Sequence, residues 1–185
     1  MQTIVLVPHP ATPCDHQPRI KVAIGWAAGR QLALTYRLQG DPDRIAIPAP
    51  APSEFADGLW QHTCFEAFIA VEGSPAYREF NFSPSGQWAS YAFSDYRQSD
   101  PSTAVLRPHV SFSRFADRLQ LDACLAWNAL PTIMPGQSLQ LGFSAVIETT
   151  DGSRSYWALS HPGEQPDFHR RDAFTLTLSP EHEPS

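Results

Sequence analysis

No stretch of this sequence is apolar over the length needed to span a bilayer, and no segment carries a convincing helical stripe. Any helix should therefore be short. Basic residues are scattered singly in a chain of net charge -6 and pI about 5.6, so no basic stripe is available to neutralise nucleic-acid phosphates or anionic lipid. Nucleic acid and membrane surfaces are not expected partners. The three cysteines, Cys14, Cys64 and Cys124, stand far apart with no CxxC, which suits reduced thiols and excludes a disulfide framework. The opening "MQTIVLVPHPATP" has no basic n-region and is interrupted by proline, so it reads as a first strand rather than a secretion signal, and a cytoplasmic protein is expected. Catalytic signatures are missing too: there is no GxSxG elbow, no HExxH, no phosphate-cradling Gly-rich loop and no dinucleotide fingerprint. The expectation is a protein that is not an enzyme.

What the chain does have is alternation. In "IKVAIGW", Ile20, Val22, Ile24 and Trp26 share a face; in "RQLALTYRL", Leu32, Leu34, Tyr36 and Leu38 do the same, and "AAGR" joins the two runs. Similar runs follow at 77–82, 87–93, 109–115, 118–127, 139–149, 153–160 and 173–178, separated by "SPSG", "AD", "PGQ" and the Asp-Gly hairpin signal in "TDG". This pattern predicts an all-β fold: an antiparallel β-sandwich, jelly-roll or immunoglobulin-like, of about ten short strands. By length it should be one domain over residues 1–178, with a charged, Pro-containing and mobile tail over 179–185. The Pro- and Ala-rich segment 47–58 should be a loop, because proline cannot donate to a ladder.

One strand poses a chemical question. "LWQHTCFEAFIAV", residues 59–71, contains neither Gly nor Pro, yet has a glutamate at its centre. Parity puts Phe65, Ala67, Ile69 and Val71 on an apolar face and Trp60, His62, Cys64 and Glu66 on the other, with Phe68 following. In the run 77–82 the same parity groups Tyr77, Glu79 and Asn81 opposite Arg78, Phe80 and Phe82. Phe65, Ala67, Ile69, Phe80, Phe82, Leu141, Phe143 and Ile147 should then be buried together. For Glu79 and Asn81 the plain alternative is the solvent side of a sheet; for Trp60 it is a packed core indole. Glu66 should either bind a ligand or accept a structural hydrogen bond.

The blocks "DGLWQHTCFEAF", "YREFNFSPSGQWASYAF" and "YWALSHPGEQPDFHRRDAFTL" resemble the DOMON-like superfamily, which includes the family 9 carbohydrate-binding modules, and look closest to its bacterial MurB-associated branch. The resemblance runs from about residue 20 to residue 178. It implies a β-sandwich that binds a small-molecule ligand on one face, a sugar in some branches and haem in others. Its sugar-binding pattern falls on Trp60 and Glu66, with Phe168 in the place of a second aromatic and His169 beside it. The basic residue it favours on the next strand falls near Glu79, with Arg78 facing away. Stacking on an indole removes C–H surface from water, and a carboxylate accepts hydrogen bonds from two hydroxyls. Six residues of strand span about 20 Å, so Trp60 and Glu66 can share one ring only if the strand bends or bulges between them.

The expected ligand-binding residues are thus Trp60, His62, Glu66, Glu79, Asn81, Phe168 and His169. The expected function is that of a non-catalytic module for a carbohydrate or sugar-containing metabolite. A haem-binding redox module and a scaffold for a protein partner are the alternatives; haem would need axial ligands from histidines or from Met134. His161, Asp167 and His169, with His62 or Cys64, match no zinc spacing, so no metal is expected. Histidines in a Pro-bracketed loop more commonly tie down backbone carbonyls. Glu66 and Glu79 could make an acid and nucleophile pair for glycoside hydrolysis, but one surface face explains both equally well.

Overall fold

The computed structural model describes residues 1–14, 18–102 and 106–180. Of the expected tail, residues 181–185 lie outside them. Among the described residues twelve strands form, all but one of them where alternation or a short apolar run places them: β1 (Gln2–Pro8), β2 (Arg19–Ala27), β3 (Gln31–Gln39), β4 (Cys64–Val71), β5 (Tyr77–Phe82), β6 (Trp88–Asp95), β7 (Gln98–Ser99), β8 (His109–Arg114), β9 (Arg118–Leu125), β10 (Leu139–Glu148), β11 (Arg154–Ala158) and β12 (Leu176–Leu178). The two-residue β7 had no sequence signal. Helical structure among the described residues is limited to 3-10 turns, and none is long and apolar enough to cross a membrane.

The strands make an antiparallel sandwich. One sheet runs β1-β2-β3-β9-β8; the other runs β7-β6-β5-β4-β10-β11, with β12 beside β10. The two are continuous through β1, whose Gln2–Leu6 half pairs with β2 while Val7 and Pro8 pair with β11. A strand that changes sheet in this way makes the corner of the sandwich.

The eight residues expected to be buried together do form part of one core, with Leu6, Ile20, Val22 and Tyr36 from the facing sheet. The register is therefore as parity predicts. Tyr36 crosses this core: its ring lies 5.1 Å from that of Phe65, and its hydroxyl donates to the backbone carbonyl of Glu66 at 2.7 Å. It ties one sheet to the strand that carries the glutamate.

Two expectations fail locally. The strand read from residue 59 begins only at Cys64, because Leu59–Gln61 form a 3-10 turn entered through Gly58 at φ 71°. That conformation favours glycine and turns the chain out of the ladder. The segment 47–58 is irregular, yet it does reach the sheet through non-proline residues: Phe55 forms a parallel bridge with Trp88, and the Ala56 and Trp88 amides donate to the carbonyls of Trp88 and Glu54. Proline blocks only its own amide.

β4 is buried along its whole length on both faces. Its inner face meets the core; its outer face is covered by the segment between β11 and β12. That segment can return because β11 and β12 pair with the same side of β10, at Ser144–Glu148 and Leu139–Leu141 respectively. The chain between them loops over the outer face. Phe174 anchors its end in a second cluster with Phe68, Ala70 and Tyr77, directly above Gly142.

Two substitutions test this packing. Tyr36→Phe keeps the ring but removes the hydroxyl's hydrogen bond to the Glu66 carbonyl, and should cost about 0.5–1.5 kcal/mol in chemical denaturation. A Cβ at Gly142 would stand 2.7 Å from the Phe174 ring. Gly142→Ala should therefore cost about 1–3 kcal/mol through overpacking, and protease cleavage between residues 160 and 173 should become faster as Phe174 is displaced.

Candidate functional site

The outer face of the second sheet is built by register. Ser144, Glu66, Asn81 and Ala89 are successive cross-strand partners, and in the next row so are Gly142, Phe68, Glu79 and Tyr91. Two glutamates thus stand on neighbouring strands, one row apart on one face. Glu66 is 3% exposed and Glu79 6% exposed, so this is not a solvent side. Over it lies a cleft of about 450 Å³ whose walls include Trp60, Phe68, Tyr91, Tyr156 and Phe168, with Glu66 and Glu79 at its base.

Each glutamate is held by one oxygen. Ser144 Oγ donates to Glu66 Oε2 at 2.7 Å, and Asn81 Nδ2 donates to Glu79 Oε1 at 2.9 Å. Glu66 Oε1 has no hydrogen-bond partner among the described residues, and Glu79 Oε2 has only His169 Nε2 at 3.7 Å, beyond hydrogen-bonding range. Burial, followed by the Glu79 charge, pushes Glu66 up to about 8 against the Ser144 hydrogen bond. Burial likewise pushes Glu79 up to about 7, opposed by Asn81 and Arg97. The two carboxyls titrate as a pair that holds protons through neutrality.

His169 hangs over this base from the covering loop. Tyr77 Oη accepts the Arg97 amide at 3.1 Å, which leaves its own proton for His169 Nδ1 at 2.8 Å. The His169 hydrogen is then on Nε2, facing Glu79. Burial, then Arg97, lowers the imidazole to about 4, so it is neutral at pH 7 and the 3.7 Å contact with Glu79 is not an ion pair there.

A clasp fixes the loop. Asp167 accepts Tyr96 Oη at 2.6 Å and an Arg97 guanidinium hydrogen at 2.8 Å, and Arg97 itself has positive φ, at 53°, in the β6–β7 turn. At the loop's two ends, His161 Nε2 donates to the Val7 carbonyl at 2.9 Å, and Arg171 donates to the Ser74 carbonyl at 3.1 Å. His161 does what a Pro-bracketed histidine is expected to do. On the opposite wall Tyr91 donates to Asp57, which the Pro- and Ala-rich segment delivers to the cleft.

Of the seven residues expected at a site, Trp60, Glu66, Glu79, Phe168 and His169 line this cleft. The break before Cys64 answers the 20 Å problem: Trp60 comes from a 3-10 turn on the wall instead of lying six residues up a straight strand. The other two, His62 and Asn81, are not among its lining residues. His62 points away from the cleft, where its Nδ1–H meets Glu148 at 2.8 Å, because the same turn removes it from the parity of β4. Asn81 is fully buried beneath Glu79 and supports the site without lining it. One histidine lines the cleft, and its Nδ1 is occupied by Tyr77; Met134 is 60% exposed and lies elsewhere. Among the described residues no group of three metal-ligating side chains converges.

Sequence reasoning missed Asp57, Tyr91, Arg97 and Asp167 as cleft residues. Tyr91 was recoverable, because it follows parity in the run 87–93. Arg97 and Asp167 lie in turns, where no periodicity points to a face.

No family profile matches the sequence, and no curated protein does. Solved structures share its fold. A candidate carbohydrate-binding protein from Bacteroides uniformis superposes with a TM-score of 0.66 at 15% identity, over 94% of this chain and 84% of that one. A family 9 carbohydrate-binding module from Caldicellulosiruptor kristjanssonii, in complex with glucose, gives 0.64 at 10% identity over 97% and 85%. A structure of a family 9 module from the same organism with cellotriose gives 0.53 at 12% over 83% and 71%.

The buried pair makes stability depend on pH with a definite sign. Above the ordinary glutamate value of 4.5 the unfolded chain releases protons that the native Glu66 and Glu79 still hold, so stability should fall as pH rises toward 8. His169 acts oppositely between its lowered value of about 4 and its ordinary 6.5, with one proton against two. Urea midpoints should therefore decline from pH 5 to pH 8.5, and Glu79→Gln should flatten the decline. Equal slopes in wild type and variant would show that the pair does not titrate as described.

Proposed function

We propose that this chain is a non-catalytic carbohydrate-binding module whose ligand occupies the cleft over Glu66 and Glu79. One observation carries the reading: aromatic walls stand over two buried carboxyls, each with an oxygen turned to the cleft and outside any hydrogen bond. Trp60, half exposed on the wall, offers an apolar ring face to a sugar's C–H surface. Phe168 offers a second from the covering loop. The carboxyl oxygens accept from sugar hydroxyls, and His169 Nε2–H donates into the same space. The clasp of Tyr96 and Arg97 on Asp167 holds the loop in place before a ligand arrives, which lowers the entropy cost of binding. Two solved structures that share the fold hold glucose and cellotriose, and this supports a neutral sugar as the first ligand to try. The narrower likeness to the MurB-associated DOMON-like branch belongs to the same reading.

Calorimetric titration at pH 8 with glucose and cello-oligosaccharides tests it. Trp60→Ala should weaken binding about tenfold or more, with little change in melting temperature, because the indole is half exposed. Glu79→Gln should cost about 1.5–3 kcal/mol of affinity, the value of a hydrogen bond to a charged group. Unchanged affinity in both variants would place the ligand elsewhere and overturn the assignment.

A further inference from the structure

The ligand class can be narrowed on the same reading by the charge of the cleft. Four carboxyl side chains line it: Asp57, Glu66, Glu79 and Asp167. Arg97 is the one cation among the lining residues that is charged at neutral pH, and its guanidinium is committed to Asp167 at 2.8 Å. Asp57 and Glu66 have no ion pair with a lining cation, and Glu79 feels the Arg97 charge without being paired to it. An acidic cluster alone would mean little. Here, however, two of its members are more than nine-tenths buried and each keeps an oxygen without a hydrogen-bond partner facing the open space.

Aromatic rings enclose that space. Trp60, Phe68, Tyr91 and Phe93 line it beside the carboxyls, and a ring face attracts a cation through its quadrupole. Carboxylates below and aromatic faces around are the environment in which an ammonium group is best held. An ammonium also carries three N–H donors, enough for Glu66 Oε1 and Glu79 Oε2 together, whereas a hydroxyl has one. A uronic acid or phosphate would set its charge against the same carboxyls.

We infer that the cleft selects a sugar bearing an ionised amine, such as a 2-amino-2-deoxyhexose, over its neutral parent and over acidic sugars. The amine sits over Glu66 and Glu79 and the ring stacks on Trp60. Binding of the cation draws off the protons that the two buried carboxyls hold near neutrality and pairs with the carboxylates so formed, whereas a neutral sugar meets the pair still protonated.

The test is calorimetric titration of the full chain at pH 7 and 0.15 M salt with four probes: glucose, glucosamine, glucuronic acid and cyclohexylamine, the last a ring amine without hydroxyls. Glucosamine should bind at least tenfold more tightly than glucose, and glucuronic acid more weakly than glucose. In Glu79→Gln both sugars should bind more weakly, and glucosamine should lose severalfold more affinity than glucose, so the preference for it shrinks. The wild-type panel decides the matter even if the variant does not fold. Glucose binding as tightly as glucosamine would overturn the charge selection and leave the sugar-binding reading standing. Binding of cyclohexylamine without any sugar would support the selection for an amine and sink the sugar. No binding of any probe would overturn both.

Discussion

Two carboxyl groups on adjacent strands, buried on the same face, set the terms for everything around them. An unpaired ionised carboxylate in a protein interior costs several kcal/mol, and a second one nearby adds repulsion. The fold meets that cost in two ways. Ser144 donates to one Glu66 oxygen from the neighbouring strand and Asn81 to one Glu79 oxygen from two residues along the same strand, and burial raises both groups until protons are retained near neutrality. Neither device satisfies the remaining oxygens. They are left facing a space large enough for a small ligand.

That space exists because of how the chain returns to the sheet. β11 and β12 pair with the same side of β10, so the residues between them must pass over the outer face of the sheet. Gly142 leaves room for Phe174 to pack at one end, and Asp167 clasps Tyr96 and Arg97 at the middle. The covering segment is tied down without being pressed flat. His169, fixed in one tautomer by Tyr77, is the polar group that the segment presents to Glu79. Tyr36 connects this arrangement to the inner core, since its hydroxyl holds the backbone of the residue whose side chain forms part of the cleft base.

Much of this was legible in the sequence where periodicity applies. Period-two alternation, with one short apolar run at the start, located eleven of the twelve strands among the described residues, and parity put Phe65 and Glu66 on opposite faces and grouped Tyr77, Glu79 and Asn81. Parity fails where the chain leaves the ladder. The 3-10 turn at Leu59–Gln61 sent Trp60 to the cleft wall and His62 away from it, although the residues read as strand. The turn at Arg97 and the loop at Asp167 give no alternation to read, so the clasp was invisible until residues 70 positions apart were seen together.

The sequence by itself determined the strands, their faces and therefore the sandwich, because side-chain direction in a strand follows from covalent geometry and burial sorts the two faces. It also determined that a glutamate would stand among aromatic residues in β4 and another in β5. Only the tertiary structure decided that their face would be covered. A polar face opposite an apolar one means solvent in a two-layer sheet, and it becomes the base of a cleft only when a distant segment, here residues 159–175 with Asp57 and Arg97, is brought across it. Local sequence encodes which way a side chain points; what stands in front of it is fixed by contacts between residues far apart in the chain.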